Sequence, residues 1–210
     1  MTTPSLSLPS APATRASSFP PALVAWGVIA AAATFTGVID VSRRFVVPPV
    51  LLLSTVAMVV AYRREGAFRA WARSLSFPSI VALQALRAPI GMAFLVWAAK
   101  GLAPVGFASG VGYGDLAVGV LAIGLLALGA RLEENRKALL AWNVLGLLDI
   151  AAVVVAAQVR FLVLDPESLR GLLSTWFPLL PLFYVPLVVA SHLLVFARLR
   201  RERASVIRGA

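Results

Sequence analysis

Six apolar stretches of about twenty residues each, separated by short basic loops, constrain this chain more than any other feature of its sequence. Wound as a helix at about 1.5 Å per residue, each rises about 30 Å, the thickness of the hydrocarbon layer of a bilayer. They cover roughly 22–40, 45–62, 80–99, a glycine-rich segment running to 130, 138–157 and 176–197. What remains of the 210 residues is loops and tails, so a separate soluble catalytic domain has no room. Composition agrees: 60% of residues are hydrophobic and 13% charged, against about a quarter charged in soluble domains. The sequence predicts an all-α bundle of six transmembrane helices over residues 21–199, with a disordered tail at 1–20 and a basic tail at 200–210.

Orientation follows from the basic residues. The first tail carries Arg15, and the loop between the second and third spans carries Arg63, Arg64, Arg69 and Arg73. The loop after the fourth span carries Arg131, Arg136 and Lys137, and the last tail has Arg198, Arg200, Arg201, Arg203 and Arg208. The other side holds only Arg43, Arg44, Lys100, Arg160 and Arg170. The positive-inside rule puts the first group, and with it both termini, in the cytoplasm. The net charge of +10 is therefore read as a match to anionic lipid head groups and not to nucleic acid. Phe68 and Trp71 among the arginines of the 63–79 loop mark an interfacial segment.

Cysteine is absent, which excludes disulfides, thiolate metal sites and a cysteine nucleophile, and a single histidine, His192, excludes a His-rich metal site. No metal or cofactor is expected. What stands out is the polar residues inside the apolar runs: Gln84, Arg87, Asp115, Asn143, Asp149 and His192. An ionised side chain at mid-bilayer costs a few kcal/mol, so each needs a partner or water. Gln84, Arg87 and Gly91 share one helix face, and Asn143, Gly146 and Asp149 form a looser stripe on the fifth span. Counted from the cytoplasmic ends of the spans, Arg87 lies about 11 Å deep, Asp149 about 17 Å and Asp115 about 22 Å. That count pairs Arg87 with Asp149 and leaves Asp115 without a cation of its own. Gly106, Gly110 and Gly114 form a ladder of small residues expected to let another helix approach closely. Pro178, Pro181 and Pro186 bend the last span. Asp165, Pro166 and Glu167 read as an N-cap, a first-position proline and a first-turn acid, opening a short interfacial helix.

Three resemblances bear on function. Gly112-Tyr113-Gly114-Asp115 is similar to the GxGD signature of intramembrane aspartyl proteases and prepilin peptidases. That resemblance implies a carboxylate dyad of Asp115 with Asp40 or Asp149. Phe107-Ala108-Ser109-Gly110, with a histidine in the last span, resembles a rhomboid serine protease. His192, however, lies about 24 Å below Ser109 along the bilayer normal, which separates nucleophile from base. The broadest resemblance is to a group of small, uncharacterised, multi-pass bacterial inner-membrane proteins without a known activity, over about 80–200. It runs through Gln84, Arg87 and Gly91, then Phe107, Ala108, Gly112, Gly114, Asp115 and Gly119, then Trp142, Asn143, Gly146, Leu147 and Asp149. It ends on Phe177, Pro178, Pro181, Pro186 and His192.

The functional expectation is a protein of the bacterial inner membrane whose polar cluster binds or moves a small polar solute, an ion or a proton, more as a carrier or binder than as an enzyme. Two alternatives stay open: an intramembrane enzyme acting through Asp115 with Asp40 or Asp149, and a scaffold that assembles with itself or with a membrane partner.

Overall fold

The computed structural model describes residues 20–64 and 66–209, with side chains through Arg201 apart from Ala130. The tail expected at 1–20 lies outside the described residues except for Pro20. Every regular element among the described residues is helical. Five helices are long and apolar enough to cross a membrane: Val41–Arg63, Phe77–Ala99, Val105–Leu126, Arg136–Leu164 and Leu180–Arg201. The chain has the build of a multi-pass membrane protein. The first stretch forms α1 (Pro21–Phe35), apolar but only 15 residues, about 22 Å long and short of the hydrocarbon thickness. It stops early because Gly37, at φ +68°, turns the chain in the left-handed region just after Thr36.

The second helix begins as a 3₁₀ turn, Val41–Val46, and continues as α2 (Val47–Arg63) with Pro48 and Pro49 in its first turn, where a missing N–H costs nothing. Gly66, at φ +157°, leads into α3 (Ala67–Ser74), the short basic and aromatic helix of the loop. The third span is broken into α4 (Phe77–Ala85) and α5 (Arg87–Ala99) at Leu86. Pro89 explains the break, since it has no N–H for the Ala85 carbonyl four residues back. Beyond it run α6 (Val105–Leu126) and α7 (Arg136–Val159). The latter passes into a π-type turn, Arg160–Leu164. Asp165 caps the 3₁₀ turn Pro166–Leu169 through the Ser168 amide, as its sequence indicates, and α8 (Arg170–Leu173) follows. A second π-type turn, Leu180–Tyr184, opens the last span, and α9 (Val185–Gly209) carries the helix through the basic segment expected as a tail at 200–210.

Prolines in the last span free backbone carbonyls that other helices then satisfy. Pro186 cannot donate to Leu182, and the indole of Trp26 on α1 donates to that carbonyl instead, at 3.0 Å. The Tyr184 hydroxyl donates to the carbonyl of Leu83, beside the α4–α5 break, at 3.0 Å.

Among the described residues, a small apolar core gathers Ile150, Val185 and Val188, and the two larger ones sit at opposite ends of the bundle. One gathers Phe94, Trp97, Phe107, Leu172 and Leu180 with Trp176 and Phe177, its rings meeting edge to face or tilted at 4.8–6.4 Å. The other gathers Phe77, Ile80, Leu132, Leu139, Trp142 and Val195. Between them lies a buried polar layer: Gln84, Arg87, Asp115, Asn143, Ser191 and His192. Large apolar side chains such as Leu52, Leu53, Leu148 and Val155 cover the outside, as a lipid-facing surface requires.

Candidate functional site

Close approach of α5 and α6 sets up the site. A Cβ on Gly91 would lie 2.5 Å from the Gly112 carbonyl oxygen and 2.6 Å from the Leu116 amide nitrogen, and one on Gly112 would lie 2.8 Å from the Leu95 side chain. Gly119 is pressed against the backbone of Ala88. Only hydrogen fits at these three positions, so the two backbones run almost in contact. Asp115 stands between Gly112 and Gly119 on the same face and is carried against Arg87. The ladder expected at Gly106, Gly110 and Gly114 is therefore corrected. A Cβ on Gly106 or Gly110 would meet nothing within 4 Å, and only Gly114 faces a neighbour, the carboxylate of Asp149. The spacing of four was right for some face of a helix, but the buried face of α6 runs through positions 112, 115 and 119.

Arg87 has no solvent-exposed surface and three of its N–H groups are taken. Its Nε donates to Asp115 Oδ1 at 2.6 Å, one Nη donates to Asp149 Oδ2, and the other donates to the Gly146 carbonyl at 3.1 Å. The guanidinium thus ties α5 to α6 and α7. The expectation that Asp115 has no cation is overturned, because Arg87 serves both acids. The error lay in the helix ends. With the third span starting at Phe77 and the fourth ending at Leu126, Arg87 and Asp115 both lie about 15–16 Å from the same end of the bundle.

A second group adjoins the first. Asn143 Nδ2 donates to the His192 carbonyl at 3.1 Å, which fixes the amide so that Asn143 Oδ1 faces His192 Nδ1 at 2.8 Å. An amide oxygen only accepts, so Nδ1 carries the ring proton there. His192 Nε2 is buried with no hydrogen-bond partner among the described residues. The ring lies against Gly146, where a Cβ would come 2.6 Å from His192 Cε1. The Gly146 peptide therefore touches the histidine on one side, and on the other its carbonyl accepts from Arg87. Gln84 Nε2 reaches Ser191 Oγ at 2.6 Å, and Ser191 in turn donates to the Val188 carbonyl. The six polar residues of the expected cluster lie together: two networks around Arg87 and His192 that meet at Gly146, with the Gln84–Ser191 pair beside them; Asp149 is half-buried and the other five are buried.

Asp40 is elsewhere. It is exposed at the start of the 3₁₀ turn Val41–Val46, where its carboxylate accepts from the Ser42 hydroxyl at 2.6 Å and the Arg43 amide at 3.0 Å. Those two bonds, the hydroxyl first, hold its carboxyl below the ordinary carboxylate range. The acid that shares a centre with Asp115 is Asp149, with a guanidinium bonded to both.

A cavity of about 50 Å³ opens beside Asp115, lined by Ile90, Phe94, Gln158 and Tyr184 among others. A second, of about 30 Å³, has Gln158, Phe177 and Pro181 in its wall as well. Each exceeds the roughly 10–15 Å³ that one water needs. Gln158 Oε1 is buried with no hydrogen-bond partner among the described residues, and its side chain lines both cavities. Sequence reasoning passed over Gln158, Ser191 and Trp26; a polar or amphipathic side chain within an apolar run was the available signal for each.

No curated protein and no solved structure gives a significant match to the chain. One family model does, over residues 38–200, a range that contains the whole polar layer and begins after α1. The chain belongs to the family described as a domain of unknown function, DUF8737.

Proposed function

We propose that this is a bacterial inner-membrane protein with six spans and both termini in the cytoplasm, whose Asp115–Arg87–Asp149 centre takes up and releases a proton. The observation that carries the reading is one buried guanidinium shared by two carboxylates. With both acids ionised the centre has one negative charge in excess, and a single proton or small monovalent cation balances it. The neighbouring cavity, about 50 Å³, admits waters or a small ion and is too small for a larger solute, which narrows the expectation from polar solutes to protons and small ions. Gln158, with its free acceptor, continues the polar path away from Asp115. Among the acids, Asp115 is the better exchanger because it contacts the cavity, while Asp149 lies against Gly114.

Asp115→Asn tests this. Asparagine keeps the size of the acid and can still accept from Arg87. In proteoliposomes loaded with a pH-sensitive dye, the parent protein is expected to dissipate an imposed pH gradient and Asp115→Asn to lose at least tenfold of that rate, with both proteins melting within a few degrees of each other. Equal rates from both proteins, or no rate above empty liposomes for either, retire the reading.

A further inference from the structure

A cavity of about 640 Å³ lies between α2 and α9 and over α3, touching the polar layer at Ser191. It follows the last span from Phe183 to Arg200, about 25 Å along the helix axis, so it is long and narrow. Its walls are apolar for most of that length, with Met58, Leu83, Leu187 and Leu194 among them. Charge appears at one end only, where Arg63 of α2 and Arg200 of α9 line the mouth.

Four of the arginines at that end divide into two kinds. Arg198 donates to the carbonyls of Ala72 and Arg73 and lies over the Phe77 ring, which fastens α3 to α9. Arg201 donates to the Tyr62 hydroxyl at 2.8 Å and lies over its ring, which fastens α9 to α2. Arg63 and Arg200 are exposed and make no hydrogen bond or ion pair with any described residue. Two fixed arginines hold the frame of the mouth, and two free ones stand on opposite sides of it. An apolar slot in a lipid-embedded bundle fills with whatever apolar chain reaches it. A pair of unpartnered guanidiniums at its interfacial end selects for a phosphate, which each can bind through paired N–H donors.

We infer that this cavity is a binding site for one anionic phospholipid of the surrounding membrane, an acyl chain lying between α2 and α9 and the phosphate held by Arg63 and Arg200. The inference is independent of the proton centre: none of Arg87, Asp115 and Asp149 lines the cavity.

Native mass spectrometry of the full chain in a neutral detergent tests it, with phosphatidylglycerol, phosphatidylcholine and oleate offered separately and in competition. The parent protein is expected to retain one phosphatidylglycerol through activation that strips phosphatidylcholine. Arg63→Gln combined with Arg200→Gln, and independently Ala190→Phe, which puts a ring into the slot, should each reduce the retained lipid at least tenfold. Thermal melting checks that the variants fold, and Ala197→Leu replaces Ala190→Phe if the larger ring lowers the yield of folded protein. Equal retention of phosphatidylcholine, preference for oleate, or undiminished phosphatidylglycerol on the slot-filled variant would each overturn the assignment.

Discussion

At Arg87 a single side chain organises three helices, and the burial of its two partners is unequal. The Asp115 side chain is 7% exposed and that of Asp149 is 23% exposed. Deleting the cation strands both acids, and breaking a buried pair in this way costs about 3–5 kcal/mol. We expect Arg87→Ala to be the most destabilising single change in the polar layer. Adding Asp115→Asn to it should recover more stability than adding Asp149→Asn, because the more deeply buried charge is the costlier one to leave alone. Thermal melts of the four proteins in one detergent decide the point. Equal recovery from the two acids means that their environments do not differ in the way their exposure indicates. The identity of these residues was legible in the sequence, since an arginine, two aspartates and an asparagine within apolar runs announce themselves. Their pairing was not, because Arg87 was assigned to Asp149 alone and it holds Asp115 as well.

Between helices, that shortfall has a definite physical source. The apolar runs place the span ends three or four residues from the true helix ends, and each residue of offset moves a side chain by about 1.5 Å along the axis and about 100° around it. The same sensitivity explains the glycine ladder. Gly106, Gly110 and Gly114 share a spacing with any close-packed face, yet the packed positions are Gly112 and Gly119, which the sequence marked only through their place beside Asp115 in a wider pattern. The two faces of α6 give opposite expectations for the same substitution. Gly112→Ala and Gly119→Ala force a methyl into Leu95 and the Ala88 backbone and should each cost about 1–3 kcal/mol. Gly106→Ala and Gly110→Ala meet open space and should be neutral or stabilise by up to about 1 kcal/mol, through helix propensity. Melting temperatures of the four variants measure the difference, and a loss at Gly110 as large as at Gly119 means that α6 packs on another face.

For the molecule as a whole, the legible part was its class. Apolar length identified the spans, and the structure gives five of full length with α1 shorter. The basic residues Arg63, Arg64, Arg73, Arg131 and Arg198 fall on the segments that join α2 to α4 and α6 to α7 and on the end of α9, and the bonds from Arg198 and Arg201 bring α9 to the same end as α3. The orientation follows as a measurable expectation. With no native cysteine to interfere, Ser174→Cys should react with an impermeant thiol reagent in intact cells and Ser74→Cys only after lysis. Labelling of Ser74→Cys from outside reverses the assignment. The cavity between α2 and α9 had no sequence signature, because it depends on how far two helices stand apart and not on which residues they carry.

The bond from Trp26 to the Leu182 carbonyl joins residues 156 positions apart. Trp26 is synthesised long before Leu182, so this bond can form only once the last span has been made. The Leu182 carbonyl, for its part, emerges with no donor of its own because Pro186 follows it. Each therefore waits for the other through the synthesis of the 155 residues between them. A chain interrupted before its final helix therefore has α1 without the carbonyl that docks its indole.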